Sequence, residues 1–194
     1  VVAGLVLAAG SGRRLGRPKA LLRHQGRLLV EAAVRALQQA GCDPTVVVLG
    51  AAADQVRAEA ELGPATVVVN RAWSTGLGSS LRTGLAALDG TVADAAVLVP
   101  VDMPGLTAAA VRQVAALPYR DALVCGTYGG RRGYPMLLGR AHWAGVTTLA
   151  NADVGVRPYL LARAAQVTDV ACDQLAQAGD VDTPEDAAAW GIEV

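Results

Sequence analysis

The chain has 194 residues, 53% hydrophobic and 18% charged, which excludes a disordered chain and fits one folded domain, residues 1–194, with a sizeable core. Its 17 basic and 17 acidic residues cancel, so no global field exists to hold a nucleic-acid backbone; an anion must be met by a local cluster, which points to a small ligand. Three distant cysteines (Cys42, Cys125, Cys172) without a C-x-x-C pairing argue against a disulfide framework and for the reducing cytoplasm, and two histidines are too few to favour zinc.

In chain order, residues 3–9 read as an apolar strand. Arg13 and Arg14 follow this run instead of preceding it, the reverse of a secretory signal. No apolar stretch approaches the ~20 residues that span a bilayer, so a soluble protein without membrane contact is expected. Val30, Val34 and Leu37 lie at i, i+4 and i+7, one face of a helix ending at Gly41. Further strands are predicted at 45–50, 65–70, 95–101, 122–128 and 166–171, and further helices at 51–62, 79–88, 107–117 and 155–164. Thr183-Pro-Glu-Asp186 offers an N-cap, a first-turn proline and an acid for a last helix.

The runs Val46-Val-Val-Leu49 and Val67-Val-Val69 have no polar alternation, as parallel strands covered on both faces require. Strand–helix alternation then implies an α/β three-layer sandwich with a mostly parallel, Rossmann-like sheet. In such sheets ligands bind beyond the carboxyl ends of the strands.

After the first strand comes Leu7-Ala-Ala-Gly-Ser-Gly-Arg-Arg-Leu-Gly-Arg-Pro-Lys19. Its glycines let backbone N–H groups approach an anion, and its arginines and lysine match the charge of a triphosphate. A P-loop needs glycine before its lysine and Ser/Thr after it, whereas Pro18 and Ala20 flank Lys19. The dinucleotide fingerprint fails too: the third glycine is one residue late, Pro18 disfavours a helix, and no acid closes the second strand.

The segment resembles the opening of the MobA-like nucleotidyltransferases, L-A-A-G-x-[GS]-x-R-[ML]-G-x-x-K, at Leu7, Ala8, Ala9, Gly10, Gly12, Arg14, Leu15, Gly16 and Lys19. With Ser11, these residues are the implied triphosphate grip, and the implied fold is that of the nucleotide-diphospho-sugar transferases. Asn70-Arg-Ala-Trp73…Gly76-Leu-Gly78-Ser79-Ser80-Leu81-Arg-Thr-Gly84 is similar to the family's N-x-x-W-x-x-G-x-x-x-S-L-x-x-G. In the family this stretch lies along base and ribose, which implicates Asn70, Gly78, Ser79 and Ser80; the bland reading is a glycine-rich loop with Trp73 in the core.

Val101-Asp102-Met-Pro104 resembles D-x-P, whose aspartate binds Mg²⁺ in the family, against a simple turn before Pro104. Asp182, in the D-[IVL]-D-T-P-E-D segment 180–186, is implied as a second metal contact or else caps the final helix. Gly129-Gly-Arg-Arg-Gly-Tyr-Pro135 resembles G-x-x-G-x-P, so Arg131, Arg132 and Tyr134 are candidates for the acceptor, with the arginines equally readable as solvated hairpin residues. Tyr134 replaces the histidine of many molybdopterin-specific members. Asp153 and Arg157 resemble G-D-x-G-A-R, where Arg157 meets phosphate or pairs with Asp153.

The resemblance implies attack of an acceptor phosphate on the α-phosphorus of a nucleoside triphosphate, with Lys19, Arg14 and Asp102 as catalytic residues and Mg²⁺ as cofactor. Guanylyl-transferring relatives read L-A-G-G, so Ala9 favours CTP over GTP and brings the chain nearest the molybdenum cofactor cytidylyltransferases, with molybdopterin as acceptor and a transient molybdoenzyme contact as a further partner. Two rival readings stand beside it: an NAD(P)H-dependent oxidoreductase of the nicotine-blue type, and a non-catalytic nucleotide-binding chaperone for a molybdoenzyme.

Overall fold

The uninterrupted valine runs are explained by what lies on either side of them. The computed structural model describes residues 1–117 and 119–194. Its strands are β1 (Val2–Ala8), β2 (Arg23–His24), β3 (Arg27–Leu28), β4 (Thr45–Leu49), β5 (Thr66–Val69), β6 (Ala95–Pro100), β7 (Leu123–Tyr128), β8 (Arg131–Gly139) and β9 (Val167–Ala171). Seven of them form one sheet in the order β5-β4-β1-β6-β8-β7-β9, and β2 pairs with β3 in a separate ribbon. Helices α1 (Leu29–Gln39), α2 (Ala53–Glu59), α3 (Leu77–Leu88), α4 (Ala108–Val114), α5 (Arg140–Leu149), α6 (Arg157–Ala162) and α7 (Pro184–Ala189) cover the sheet.

Successive residues of β4 serve opposite layers. Val47 and Leu49 pack with Val34, Leu37 and Val111 on one face; Val46 and Val48 pack with Leu81, Leu85 and Leu88 on the other. Such strands have no wet face on which a polar residue would be favoured. The sheet is thus the middle of three layers, as expected.

The chain moves outward from β1 to β4 and β5, then returns to set β6 on the opposite side of β1. The connections leaving β1 and β6 therefore diverge. Such a reversal of strand order opens a crevice at the carboxyl edge.

Besides the short β2–β3 ribbon, two elements escape the sequence reading. β8 runs antiparallel between β6 and β7. Its sequence contains Gly133 and Pro135, which argue against a central strand. The structure accommodates them at a bulge: Met136 pairs with Cys125 and Gly133 with Gly126, so Tyr134 and Pro135 have no rung on β7. Pro135, which has no N–H, thus sits where the ladder needs none. Helix α5 has no side-chain N-cap and carries a glycine and two threonines, a weak local signal. Long-range bonds hold it: the buried His142 ring lies 2.8 Å from the Tyr159 hydroxyl and 2.9 Å from the Asp121 carbonyl, and Trp143 Nε1 donates to Leu138 O.

No helix among the described residues is long and apolar enough to cross a membrane.

Gly84 lets α3 approach the sheet. A Cβ there would lie 2.5 Å from Leu5 Cδ1 and 3.0 Å from Val48 Cγ2. Alanine in a helix interior is worth about 1 kcal/mol over glycine, but overpacking costs about 1–3 kcal/mol. Gly84→Ala should therefore lower the urea midpoint despite its helix propensity. A raised midpoint would mean that α3 can retreat from β1 and β4 at little cost.

Candidate active site

The loop after β1 is shaped by one forced position. Gly12 has φ +63°, and a Cβ on it would lie 2.0 Å from Arg17 O, so only glycine fits there. Leu15 is buried, its N–H donates to Gly12 O at 2.9 Å, and this ties the loop to the core. The loop contains turns and no α-helix, so it does not open a helix as a dinucleotide fingerprint does. Backbone N–H groups of residues 10–14 make no hydrogen bond among the described residues. Such a run of free donors beside arginines is a natural anion cradle. Leu7 and Ala8 lie buried in β1, where they support the loop, while Gly10 is exposed and Ser11 half-buried.

Lys19 begins a short 3₁₀ turn and lies beside the carboxyl end of β6. Its Nζ donates to Asp102 Oδ2 at 2.5 Å and also to Asp182 Oδ1. Arg14 adds a looser contact, Nη2 to Asp182 Oδ2 at 3.6 Å. A backbone bond brings the two aspartates together: Val181 N–H donates to Asp102 O at 2.9 Å. Asp182 is not the helix cap. Thr183 Oγ1 accepts from Asp186 N, and the Asp186 carboxylate accepts from the N–H groups of Asp182 and Thr183, which leaves the Asp182 carboxylate free to face Lys19.

The charges here are strongly coupled. Burial pulls the Lys19 ammonium down, but Asp102 and then Asp182 outweigh it and hold the group above its ordinary value. Burial, reinforced by Asp102, pushes the Tyr134 phenol up to about 12, so it remains a hydrogen-bond donor at neutral pH. Asp180, for which the sequence indicates no role, belongs to the same group. Its carboxyl is held above the usual range by burial first, then by Asp102 and Asp182.

Asn70, Ser79 and Ser80 come together, but inside the protein. Asn70 Nδ2 donates to Ser79 Oγ at 2.8 Å and to Ser80 Oγ at 3.0 Å, while Asn70 Oδ1 accepts from Ala72 N. All three are buried and pin the turn around Trp73 to the start of α3. Gly78 lies against the segment 150–153: its N–H donates to Ala152 O at 2.8 Å, and a Cβ would lie 2.8 Å from the Ala150 carbonyl. Ala9 is 6% exposed and packs in the core layer that Trp73 covers; a Cβ on Gly50 would lie 2.8 Å from the Ala9 methyl.

On the acceptor side, the predicted loop is the turn of the β7–β8 hairpin, with Gly129 and Gly130 both at positive φ. Arg131 is exposed at its tip. Arg132 is engaged, its Nε and Nη2 donating to both oxygens of Asp169 on β9 at 2.6 and 3.2 Å. Tyr134 is half-buried, and its carbonyl accepts from Tyr128 Oη. Asp153 and Arg157 are both exposed and form no ion pair among the described residues.

The donor set can be tested for a divalent cation. Among the described residues no group of three or more His, Cys, Asp or Glu side chains is disposed to hold a metal alone. Asp102 and Asp182, however, converge on one cationic atom. One or two hard carboxylates, completed by substrate phosphates and water, is what Mg²⁺ takes. The residues fit that ion.

Comparison with known proteins shows the family and the fold. A family model described as the MobA-like NTP transferase domain matches residues 4–169. Nicotine blue oxidoreductase of Paenarthrobacter nicotinovorans is 37% identical over 192 residues, 95% of this chain and 93% of that protein. A probable molybdenum cofactor guanylyltransferase of Opitutus terrae is 51% identical over 47 residues, 24% of this chain and 23% of that one. The crystal structure of Rv0371C from Mycobacterium tuberculosis in complex with manganese matches with a TM-score of 0.81 and 28% identity, covering 97% of each chain. The mixed sheet is that of the nucleotide-diphospho-sugar transferases.

Because the folded protein holds the Asp180 proton more tightly than the unfolded chain, ionised Asp180 destabilises the fold above its raised value, and the penalty fades as pH falls into the usual carboxylate range. Asp180→Asn should raise Tm at pH 7, with a gain that shrinks in acid. An unchanged Tm at pH 7 would show that burial and the neighbouring aspartates impose no such penalty.

Proposed function

The chain belongs to the MobA-like NTP transferase family, and on that footing we propose that it transfers CMP from CTP to the phosphate of a small acceptor, molybdopterin, releasing pyrophosphate. The carrying observation is the meeting of Lys19, Asp102 and Asp182 at the β1/β6 crevice, beside the free N–H groups of residues 10–14. We take residues 1–194 to act as one catalytic unit.

An acceptor phosphate is ionised at neutral pH, so the reaction needs no general base. An acceptor oxygen bonds to the α-phosphorus while the bond from that phosphorus to the bridging oxygen of the β-phosphate breaks, and the electron pair leaves on pyrophosphate. Lys19, Arg14 and the loop N–H groups bind the triphosphate and neutralise charge on the leaving group. Asp102 and Asp182 would hold Mg²⁺, which when bound supplies Lewis-acid neutralisation of phosphate oxygens. The manganese complex of Rv0371C supports a divalent ion. The Asn70–Ser79–Ser80 cluster fixes the backbone of 70–78 along the nucleotide, while the Tyr134 hydroxyl, Arg131 and Arg157 are left for the acceptor. Arg132, held by Asp169, shapes the hairpin that presents Arg131 and Tyr134.

Cytidine is favoured by the crowding around Ala9: its methyl and Trp73 fill the space beside Gly50, where the guanylyl-type glycine would leave room for a larger base. The molybdopterin acceptor is supported by the Opitutus terrae relative.

A second reading follows from the 37% identity to nicotine blue oxidoreductase: reduction of a pigment by NAD(P)H on the same fold. The non-helical loop after β1 argues against a dinucleotide site. A ligand that binds the folded state raises Tm, so CTP with Mg²⁺ should do so and NADPH should not; the reverse pattern would favour the reductase.

Asp102→Ala should reduce metal-dependent pyrophosphate release by about 10²-fold or more, whereas Lys19→Ala should chiefly weaken use of CTP. Full turnover by purified, folded Asp102→Ala would sink the assignment. In a screen of the four NTPs against molybdopterin and sugar or polyol phosphates, CTP with molybdopterin should release the most pyrophosphate, and Ala9→Gly should shift preference toward GTP. Activity of the unaltered protein with GTP alone would overturn the argument from Ala9.

A further inference from the structure

The site contains a cation of its own. Lys19 Nζ contacts Asp102 and Asp182 together, and the Lys19 and Asp102 side chains are only 18% and 19% exposed. Arg14 lies on the other oxygen of Asp182. Charges shielded from water in this way interact more strongly than surface pairs. A divalent ion arriving alone would therefore have to displace an ammonium group from the two oxygens it needs.

We propose that Lys19, assisted by Arg14, is a resident counter-ion that keeps the divalent cation out of the Asp102–Asp182 pair until a triphosphate draws both basic side chains away. The proposal rests on the reading of these aspartates as metal ligands and goes beyond it. Lys19 then has two successive partners, carboxylates in the free protein and phosphates in the loaded one. Only side chains need to move, because Gly12 and buried Leu15 fix the loop backbone. The cation and the triphosphate then bind with positive linkage, since each removes the obstacle to the other.

The probe is Mn²⁺ alone, without nucleotide, followed by electron paramagnetic resonance. Lys19→Met, confirmed as folded by circular dichroism, should bind Mn²⁺ on the order of tenfold more tightly than the unaltered protein, and Lys19→Arg should resemble the latter. In the unaltered protein the ¹⁵Nζ resonance of Lys19 should shift as Mg²⁺ saturates the site, a readout that needs no substitution to fold. The exchange is overturned if Lys19→Met binds Mn²⁺ no better than the unaltered protein, if neither binds it, or if the Lys19 resonance stays put at saturation. The underlying reading fails separately, and the proposal with it, if Asp102→Asn and Asp182→Asn retain Mn²⁺ as well as the unaltered protein does.

Discussion

The contact of the Lys19 ammonium with Asp102 and Asp182 joins three distant stretches: the loop after β1, the turn after β6 and the approach to α7. Two of these are already bound together by the Val181–Asp102 backbone hydrogen bond, and the lysine brings in the third. In a chain with no net charge, this local grouping of opposite charges is where an anionic ligand and its cation can be met together. Its place follows from the sheet, because β1 and β6 are neighbours whose connections leave in different directions.

Much of this was written in local sequence. Strand runs covered on both faces declare themselves by continuous apolarity, and the loop declares itself by glycine and arginine placement after the first of them. Asp102 was readable as a candidate from its place after an apolar strand and from the family resemblance, Asp182 from the resemblance alone. What stayed hidden depends on partners far along the chain. Arg132 reads equally as an acceptor contact or a solvated hairpin residue until β9 brings Asp169 beside it. Asn70, Ser79 and Ser80 look like groups for a base edge until their mutual hydrogen bonds are seen. Strand β8 is unreadable because its proline fits only at a bulge whose existence requires β7. Asp180 carried no motif role of its own; its significance is the company of Asp102 and Asp182.

The two faces of the crevice are built differently. Around Lys19 the architecture is ionic and depends on side chains that can exchange partners. Around α3 it is made of buried neutral hydrogen bonds whose donors and acceptors are satisfied by one another. Such a network holds shape in a low-dielectric setting, whereas a charge cluster responds to what binds it. The nucleotide would thus lie between a rigid rail and a responsive one.

The contact of Gly76 and Gly78 with the segment 150–153 carries a consequence for how the protein can diversify. At both glycines a Cβ would collide with main-chain atoms, 2.4 Å from the Ala152 carbonyl and 2.8 Å from that of Ala150. The distance between the start of α3 and the segment 150–153 is therefore set by peptide against peptide, like two rulers laid edge to edge. Exposed side chains nearby, such as the proposed acceptor contact Arg157, can be exchanged without disturbing that spacing. On the proposed reading, a lineage built on this frame can change what it modifies while leaving untouched the geometry that would hold the donor.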